Sequence, residues 1–367
     1  MARTDRTATT ADPDRTTEDA TAPDAGPARP ILSVQGLKVS YPVYAAEPVR
    51  AVHELDLQIA PGEIVGLVGE SGSGKTSLAR AIMGLLVRPG RIDGGKVSFD
   101  GRDMRAAGED ELRAIRGRDI AMVIPNPRSE LDPLVTVGRQ IANVARAHLK
   151  IGRAEADEMA MEMLKAVQIP DPARRFRAYP HELSGGMAPR VVMAIALVCS
   201  PKFLISDDAT SGLDVTVQAQ VLELLRRLVR DQGAAMMFIT RDIGITAHFC
   251  DRVAVIYSGE IVEEAPTLSF FENPMHPYSV MLLAAFAHNP RLREKWHKPL
   301  ASNAPSHVAT GCEYAPRCVH AEAECSRVRP ALRELAPGHR VRCHFPVLRD
   351  PDGAPAGAPS DAGEAGQ

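Results

Sequence analysis

The eight residues Gly69-Glu70-Ser71-Gly72-Ser73-Gly74-Lys75-Thr76 constrain this chain more than any other stretch. They match G-x-x-x-x-G-K-[ST], a loop that wraps phosphate. Glu63 to Val68 before it reads as a buried strand, and Ser77 to Gly84 after it reads as a helix. That strand–loop–helix setting is what the motif requires. The glycines let the backbone curl, so that successive N–H groups among Gly69, Ser71, Gly72, Ser73, Gly74, Lys75, Thr76 and Ser77 point inward at phosphate oxygens, at the positive end of the following helix. Lys75 is expected to reach the outer phosphates, and the Thr76 hydroxyl to ligate Mg²⁺.

Composition narrows the partners. A net charge of -3 gives no electrostatic case for nucleic-acid binding. The apolar run Val191 to Cys199 is far too short to span a bilayer, so a membrane role must come through a partner. The N-terminus lacks the apolar core of a signal peptide. Residues 1–29 and 348–367 are poor in large apolar side chains and are expected to be disordered tails.

Between the tails the pattern alternates strand and helix. Ile31 to Tyr41 and Val52 to Ile59 alternate as strands, and Gly94 to Asp100 reads as another. Tyr41 lies where its ring would either stack on adenine or simply pack. A helix is expected over Glu109 to Arg116. A short strand over Ile120 to Ile124 then stops at Pro125-Asn126-Pro127. Val137 to Leu149 and Arg153 to Val167 carry apolar residues at helical spacing, which predicts a helical subdomain over about 130–190.

Next come Leu183-Ser184-Gly185-Gly186-Met187 and an apolar helix over Val191 to Val198. A Ser-Gly-Gly turn opening a helix presents free N–H groups and a hydroxyl, a second place for an anion. Phe203 to Asp207 is an apolar strand ending in an acid, the pattern of a carboxylate that holds Mg²⁺ through water. Ala234 to Thr240 is a further strand, and Val253 to Tyr257 with Glu260 to Val262 is expected to close the sheet.

Four of the six cysteines cluster near the C-terminus: Cys312, Cys318, Cys325 and Cys343, with gaps of five, six and seventeen residues. This is not the paired spacing of a common zinc ribbon, although four thiolates hold either zinc or a four-iron–four-sulfur cluster. Cys199 and Cys250 sit in apolar helical contexts as packing residues.

Taken in this order, the pieces resemble the ATP-binding subunits of ATP-binding-cassette (ABC) transporters. The resemblance rests on the loop at 69–76, Leu183 to Met187, the acid-ending strand at 203–207 and Ser211-Gly-Leu-Asp214. It narrows to the dipeptide, oligopeptide and nickel importers through Tyr179 to Met187, Leu213 to Gln220, His276-Pro-Tyr278 and the C-terminal cysteines. It implies an α/β P-loop NTPase cassette at 30–265, with a helical subdomain and a small cysteine-containing extension at 266–347. It also implies ATP and Mg²⁺ between two such subunits, one giving the phosphate loop, the other the Ser184, Gly185 and Gly186 signature, with Asp207 and Asp214 as further binding residues. A second ATP-binding subunit, two integral-membrane permease subunits and an extracytoplasmic substrate-binding protein would complete the complex at the cytoplasmic face of the membrane. In that family the cysteines hold a four-iron–four-sulfur cluster, which favours iron–sulfur over zinc.

Three positions depart from the family pattern. Pro125 stands where a glutamine contacts Mg²⁺ and the attacking water, Asp208 where a glutamate acts as general base, and Arg241 where a histidine contacts the γ-phosphate. Proline has no group to offer, aspartate is one methylene short, and arginine is permanently charged. Ala188 and Pro189 also replace the Arg-Gln expected after the signature. The expectation is a site that binds ATP and hydrolyses it poorly while lending its signature to a complete partner. The alternatives are an ordinary ATPase in which Asp208 suffices, a soluble cassette protein of translation or repair, and a regulatory nucleotide sensor.

Overall fold

The computed structural model describes residues 29–44, 46–125, 129–286 and 310–347. The expected terminal tails, apart from Arg29, and Asn126-Pro127 of the strand-breaking segment lie outside the described residues. The strands that begin and follow the phosphate-binding half are β1 (Leu32–Val43), β2 (Ala46–Ile59), β3 (Ile64–Val68), β4 (Arg91–Phe99), β5 (Arg102–Asp103) and β6 (Ile120–Val123). The later strands are β7 (Phe203–Asp207), β8 (Ala235–Thr240), β9 (Arg252–Tyr257), β10 (Glu260–Pro266), β11 (Arg333–Ala336) and β12 (His339–Val341). They form two sheets, ordered β2-β1-β4-β5 and β11-β12-β10-β9-β3-β8-β7-β6.

In the large sheet, β3 pairs parallel with β8 and β9, β7 with β8, and β6 with β7. Parallel strands need cover on both faces, so β3, β7 and β8 are buried along their whole length. Strand period sorts the side chains. Val65, Leu67, Ile205, Met237 and Ile239 pack with the small sheet and α1 (Lys75–Ile82). Ile64, Leu204, Met236 and Phe238 face the helical layer. That layer is built from α3 (Val137–Leu149), α4 (Arg153–Ala166), α6 (Met187–Leu197) and α7 (Val215–Asp231). Between β6 and β7 there is no strand among the described residues, as the helical spacing predicts.

Helix α6 starts at Met187, four residues before the apolar run read from sequence, and carries Pro189 in its first turn. A first-turn proline loses no intrahelical bond, and Ala188 and Pro189 are buried in the layer. The hairpin strands also run longer than expected: β2 begins at Ala46 and β4 at Arg91. Ser40 pairs with both Arg50 and Arg91 there. Residues 47–50 and Arg91 are exposed, so no apolar alternation marks this part of the ladder.

The sheet does not close at Val262. β10 continues to Pro266 and takes β12 as a further antiparallel neighbour, pairing Glu263 with Val341 and Glu264 with Arg340. Two buried glutamates just past Val262, Glu263 and Glu264, hide the rest of the strand from an apolar pattern, and a third, Glu260, opens it. Glu263 is fully buried; its carboxylate accepts the N–H groups of Met275 (2.7 Å) and His276 (2.9 Å) and pairs with His339 Nε2 (2.7 Å). Glu264 pairs with Arg252 and Arg340, and Glu260 with Arg329. Each charge is tolerable only with its partner, since stripping one side of a buried pair costs about 3–5 kcal/mol. Apart from Arg252 of β9, these partners come from the chain beyond 265, which is thereby bound to the sheet edge. Its helices α9 (Thr267–Glu272) and α10 (Pro277–Phe286), with Tyr314, cover Val253 and Val255 of β9. No helix among the described residues is long and apolar enough to cross a membrane.

Candidate functional site

The phosphate loop leaves the end of β3 and enters α1, and two of its glycines are obligatory. A Cβ on Gly69 would stand 2.2 Å from the Ile256 carbonyl oxygen. Gly74 has φ +103°, and a Cβ there would stand 2.1 Å from the Ala51 carbonyl oxygen. No other residue permits so close an approach. The loop is closed by Ser73 N–H to the Glu70 carbonyl (3.2 Å) and tied to the β9–β10 turn by Gly259 N–H to the Ser73 carbonyl (2.9 Å).

Lys75 is buried, and its Nζ donates to the carbonyls of Gly69 and Glu70 (2.7 Å each) and to Ser73 Oγ (3.2 Å). Burial pushes its pKa down to about 8, against the pull of Asp207 and Asp208. Thr76 Oγ1 donates to Asp207 Oδ2 at 2.8 Å. Burial pushes the Asp207 carboxyl up, while the Thr76 hydroxyl draws it back and Asp208 raises it further. A hydroxyl and a carboxylate side by side are oxygen donors of the kind Mg²⁺ takes, so the site fits that ion.

One pocket joins these groups with the three departures from the family pattern. Ser71, Gly72, Gly74, Lys75, Thr76 and Ser77 form one wall, and Pro125, Asp207, Asp208, Thr240 and Arg241 the other, with Ala51 at the rim. Arg241 Nη2 lies 3.2 Å from Asp208 Oδ2. Asp208 has φ +46°, and its N–H donates to the Ile239 carbonyl (3.0 Å). Ala51 and Thr240 carry no local signal of a site; they reach the pocket because the middle of β2 passes beside Gly74 and β8 ends at the loop.

Other expected site residues lie apart. Tyr41 Oη shares a hydrogen bond with Ser77 Oγ (3.2 Å), and its ring packs where a Cβ on Gly90 would come within 2.6 Å. Tyr41 is not among the residues lining the pocket. Ser184, Gly185 and Gly186 precede α6 away from it, and Asp214 caps α7 by accepting the Val217 N–H (3.0 Å).

The charge state of Lys75 sets a pH dependence. With no ligand the amine loses its proton near pH 8, whereas a bound phosphate chain raises that pKa. Above pH 8 binding must therefore take up a proton, and nucleoside-triphosphate affinity should fall by up to about tenfold per pH unit. Calorimetric titrations between pH 7 and 9.5 check this; a flat profile would show that Lys75 is not the anion's partner.

Cys312, Cys318, Cys325 and Cys343 line a second, small pocket together with His276 and Tyr314. All four are free thiols. Burial pushes Cys312 and Cys318 up to about 11 and Cys343 up to about 12. The donor chemistry suits iron–sulfur or zinc. However, no three His, Cys, Asp or Glu side chains among the described residues stand in a metal-holding arrangement. Cys250 packs under Gly66, where a Cβ would come within 2.8 Å of its Sγ.

Sequence reasoning missed the contacts of Glu70. Its N–H donates to Tyr278 Oη (3.0 Å), and its carboxylate takes both Nη atoms of Arg317 (2.8 and 3.1 Å). Partners more than 200 residues away leave no local signal.

Comparison with known proteins agrees with the geometry. The ABC transporter family matches residues 52–211, and the family described as "Oligopeptide/dipeptide transporter, C-terminal region" matches residues 262–325. The oligopeptide transport ATP-binding protein OppD of Salmonella typhimurium is 41% identical over 325 residues, covering 88% of this chain and 95% of that protein. The dipeptide transport ATP-binding protein DppD of Escherichia coli is 39% identical, covering 86% and 97%. The post-hydrolysis dimer of the ATP-binding cassette MJ0796 with ADP and Pi superposes with a TM-score of 0.58 at 26% identity, over 64% of this chain and 98% of that one. A likeness that runs through both the cassette and its C-terminal region places the chain among the ATP-binding proteins of the ABC transporter family that carry the oligopeptide/dipeptide C-terminal region.

Proposed function

We propose that this chain is the ATP-binding subunit of a peptide importer whose own site binds ATP and hydrolyses it slowly. Relatives named for oligopeptide and dipeptide transport support the substrate class. The subunit works at the cytoplasmic face of the membrane with two integral-membrane permease subunits and an extracytoplasmic substrate-binding protein. A second ATP-binding subunit supplies the complete catalytic site and borrows Ser184, Gly185 and Gly186 from this chain.

The observation that carries the slow-site reading is the Arg241–Asp208 ion pair, with Pro125 lining the same pocket. A general base needs a carboxylate oxygen free for the attacking water. Here one oxygen of the short Asp208 carboxylate is held by a permanent cation, which lowers the basicity of the group, and Pro125 has no polar side chain to orient water. Binding groups are retained: Lys75 lines the pocket and would turn its amine to the phosphates, and Thr76 with Asp207 would hold Mg²⁺, which screens phosphate charge. The test is ATP binding and turnover by the purified chain beside a variant carrying Pro125→Gln, Asp208→Glu and Arg241→His. Equal turnover would restore the ordinary-ATPase reading.

The four C-terminal cysteines serve this reading as ligands of a four-iron–four-sulfur cluster, with zinc as the alternative. Support comes from four thiols lining one pocket and from the resemblance to cluster-bearing subunits. Since no three His, Cys, Asp or Glu side chains among the described residues stand in a metal-holding arrangement, metal would have to draw the thiols together. Protein purified anaerobically should contain about four iron and four sulfide per chain. One zinc selects the alternative, and neither metal ends both.

A further inference from the structure

Glu70 is the second residue of the phosphate loop, and its position is fixed from outside the cassette. Its carbonyl is held within the loop by Lys75 Nζ (2.7 Å) and Ser73 N–H (3.2 Å). Its N–H and its carboxylate are both held by the C-terminal extension, through Tyr278 and Arg317. The Arg317 pair is bidentate, the geometry in which a guanidinium fixes both distance and orientation of a carboxylate.

The two holding residues belong to one rigid block. Tyr278 is fully buried. Its ring meets Tyr257 of β9 edge-on at 4.7 Å, and Tyr257 meets Tyr314 at 5.1 Å. The Arg317 guanidinium lies over the Tyr257 ring at 5.8 Å. Arg317 sits between Cys312 and Cys318, in a turn pinned by its own N–H and that of Cys318 to the Tyr314 carbonyl (2.9 and 3.0 Å). The Glu70 peptide therefore cannot move without breaking contacts to a block packed against the cysteine pocket. Glu70 touches no phosphate-facing position of its own, since the pocket is lined from Ser71 onward. Its contribution is to the shape of the loop. A loop held in its binding shape before the ligand arrives loses less freedom on binding.

We propose that Arg317 and Tyr278 are positioning residues of the nucleotide site, and that through Glu70 the cysteine-bearing extension sets the affinity of the phosphate loop for ATP. The extension is then part of the nucleotide site, and Arg317 is the route by which a change at the cysteine pocket reaches the phosphates.

The experiment is titration of the full chain with a fluorescent ATP analogue, with thermal unfolding in parallel. Arg317→Met and Glu70→Gln should each weaken binding about tenfold, the scale of one charge-assisted contact. The double variant should be no weaker than either single one, because both remove the same contact. Arg317→Lys should recover part of the loss, as an ammonium reaches one carboxylate oxygen; a general role in folding would not follow that order. Tyr278→Phe, which deletes one hydroxyl, should weaken binding severalfold and decides the matter if Arg317→Met does not fold. Wild-type affinity in Arg317→Met or in Tyr278→Phe, or losses that multiply in the double variant, would overturn the proposal. The readout is binding, so it stands apart from the slow-hydrolysis reading. A natural chain that binds no nucleotide would remove the site itself.

Discussion

ATP turnover by the Pro125→Gln, Asp208→Glu, Arg241→His variant should exceed that of the natural chain by about 10²–10⁴-fold, the range a positioned general base contributes. The three changes belong together because the three side chains share one pocket. Asp208→Glu alone adds reach, but Arg241 would still bind the new carboxylate across the 3.2 Å now separating the pair. Arg241→His alone frees a carboxylate that remains too short. Pro125→Gln alone brings a water-orienting amide into a pocket whose base cannot accept the proton. The single variants should therefore each gain little, and the gain should appear mainly in the combination. Steady-state phosphate release, with ATP affinity measured on the same samples, separates a rate effect from a binding effect. Affinity should change little, because Lys75, Thr76 and Asp207 are untouched.

Lys75→Met should have the opposite signature, abolishing ATP binding while leaving the chain folded. Lys75 Nζ makes three hydrogen bonds within the loop, and at least two of its donors must turn to phosphate oxygens. Charge-assisted bonds of about 1.5–3 kcal/mol each give a loss on the order of 10²–10⁴ in affinity. The folded chain should tolerate the change. Burial already disfavours the ammonium, holding its pKa near 8; in the unfolded chain it returns to the ordinary lysine value. Below pH 8 the charged amine therefore costs the fold stability, and that cost fades as pH rises from 8 toward 10.5. Replacing the lysine should remove this rise, so stability against pH, followed by thermal unfolding, checks the protonation argument independently of ATP. Retained nanomolar-to-micromolar binding in Lys75→Met would mean that the phosphates sit elsewhere.

The sequence alone determined the cassette and the chemistry of its site, for a local reason. The phosphate loop, the strand ending in Asp207 and the Ser184-Gly185-Gly186 turn are contiguous motifs, and the residue types that mark each of them lie within a few positions of one another. The helical layer was equally legible, because α3 and α4 bury one face at helical spacing. Tertiary structure decided what depends on residues far apart in the chain. β10 could not be read through Glu263 and Glu264, because their partners His339 and Arg340 come from a hairpin some 76 residues on. The exposed halves of β2 and β4 carry no apolar alternation, and only their pairing with β1 makes them strands. Pro125, Asp208 and Arg241 could be named as departures one by one. That Asp208 and Arg241 form an ion pair follows from the parallel pairing of β7 with β8, which ends both strands at the same pocket. Glu70 shows the limit most clearly: a variable position of the motif by sequence, it is held by Arg317 across 247 residues. Burial patterns and turns are written locally, whereas an ion pair between distant segments exists only once the sheet has brought its edges together.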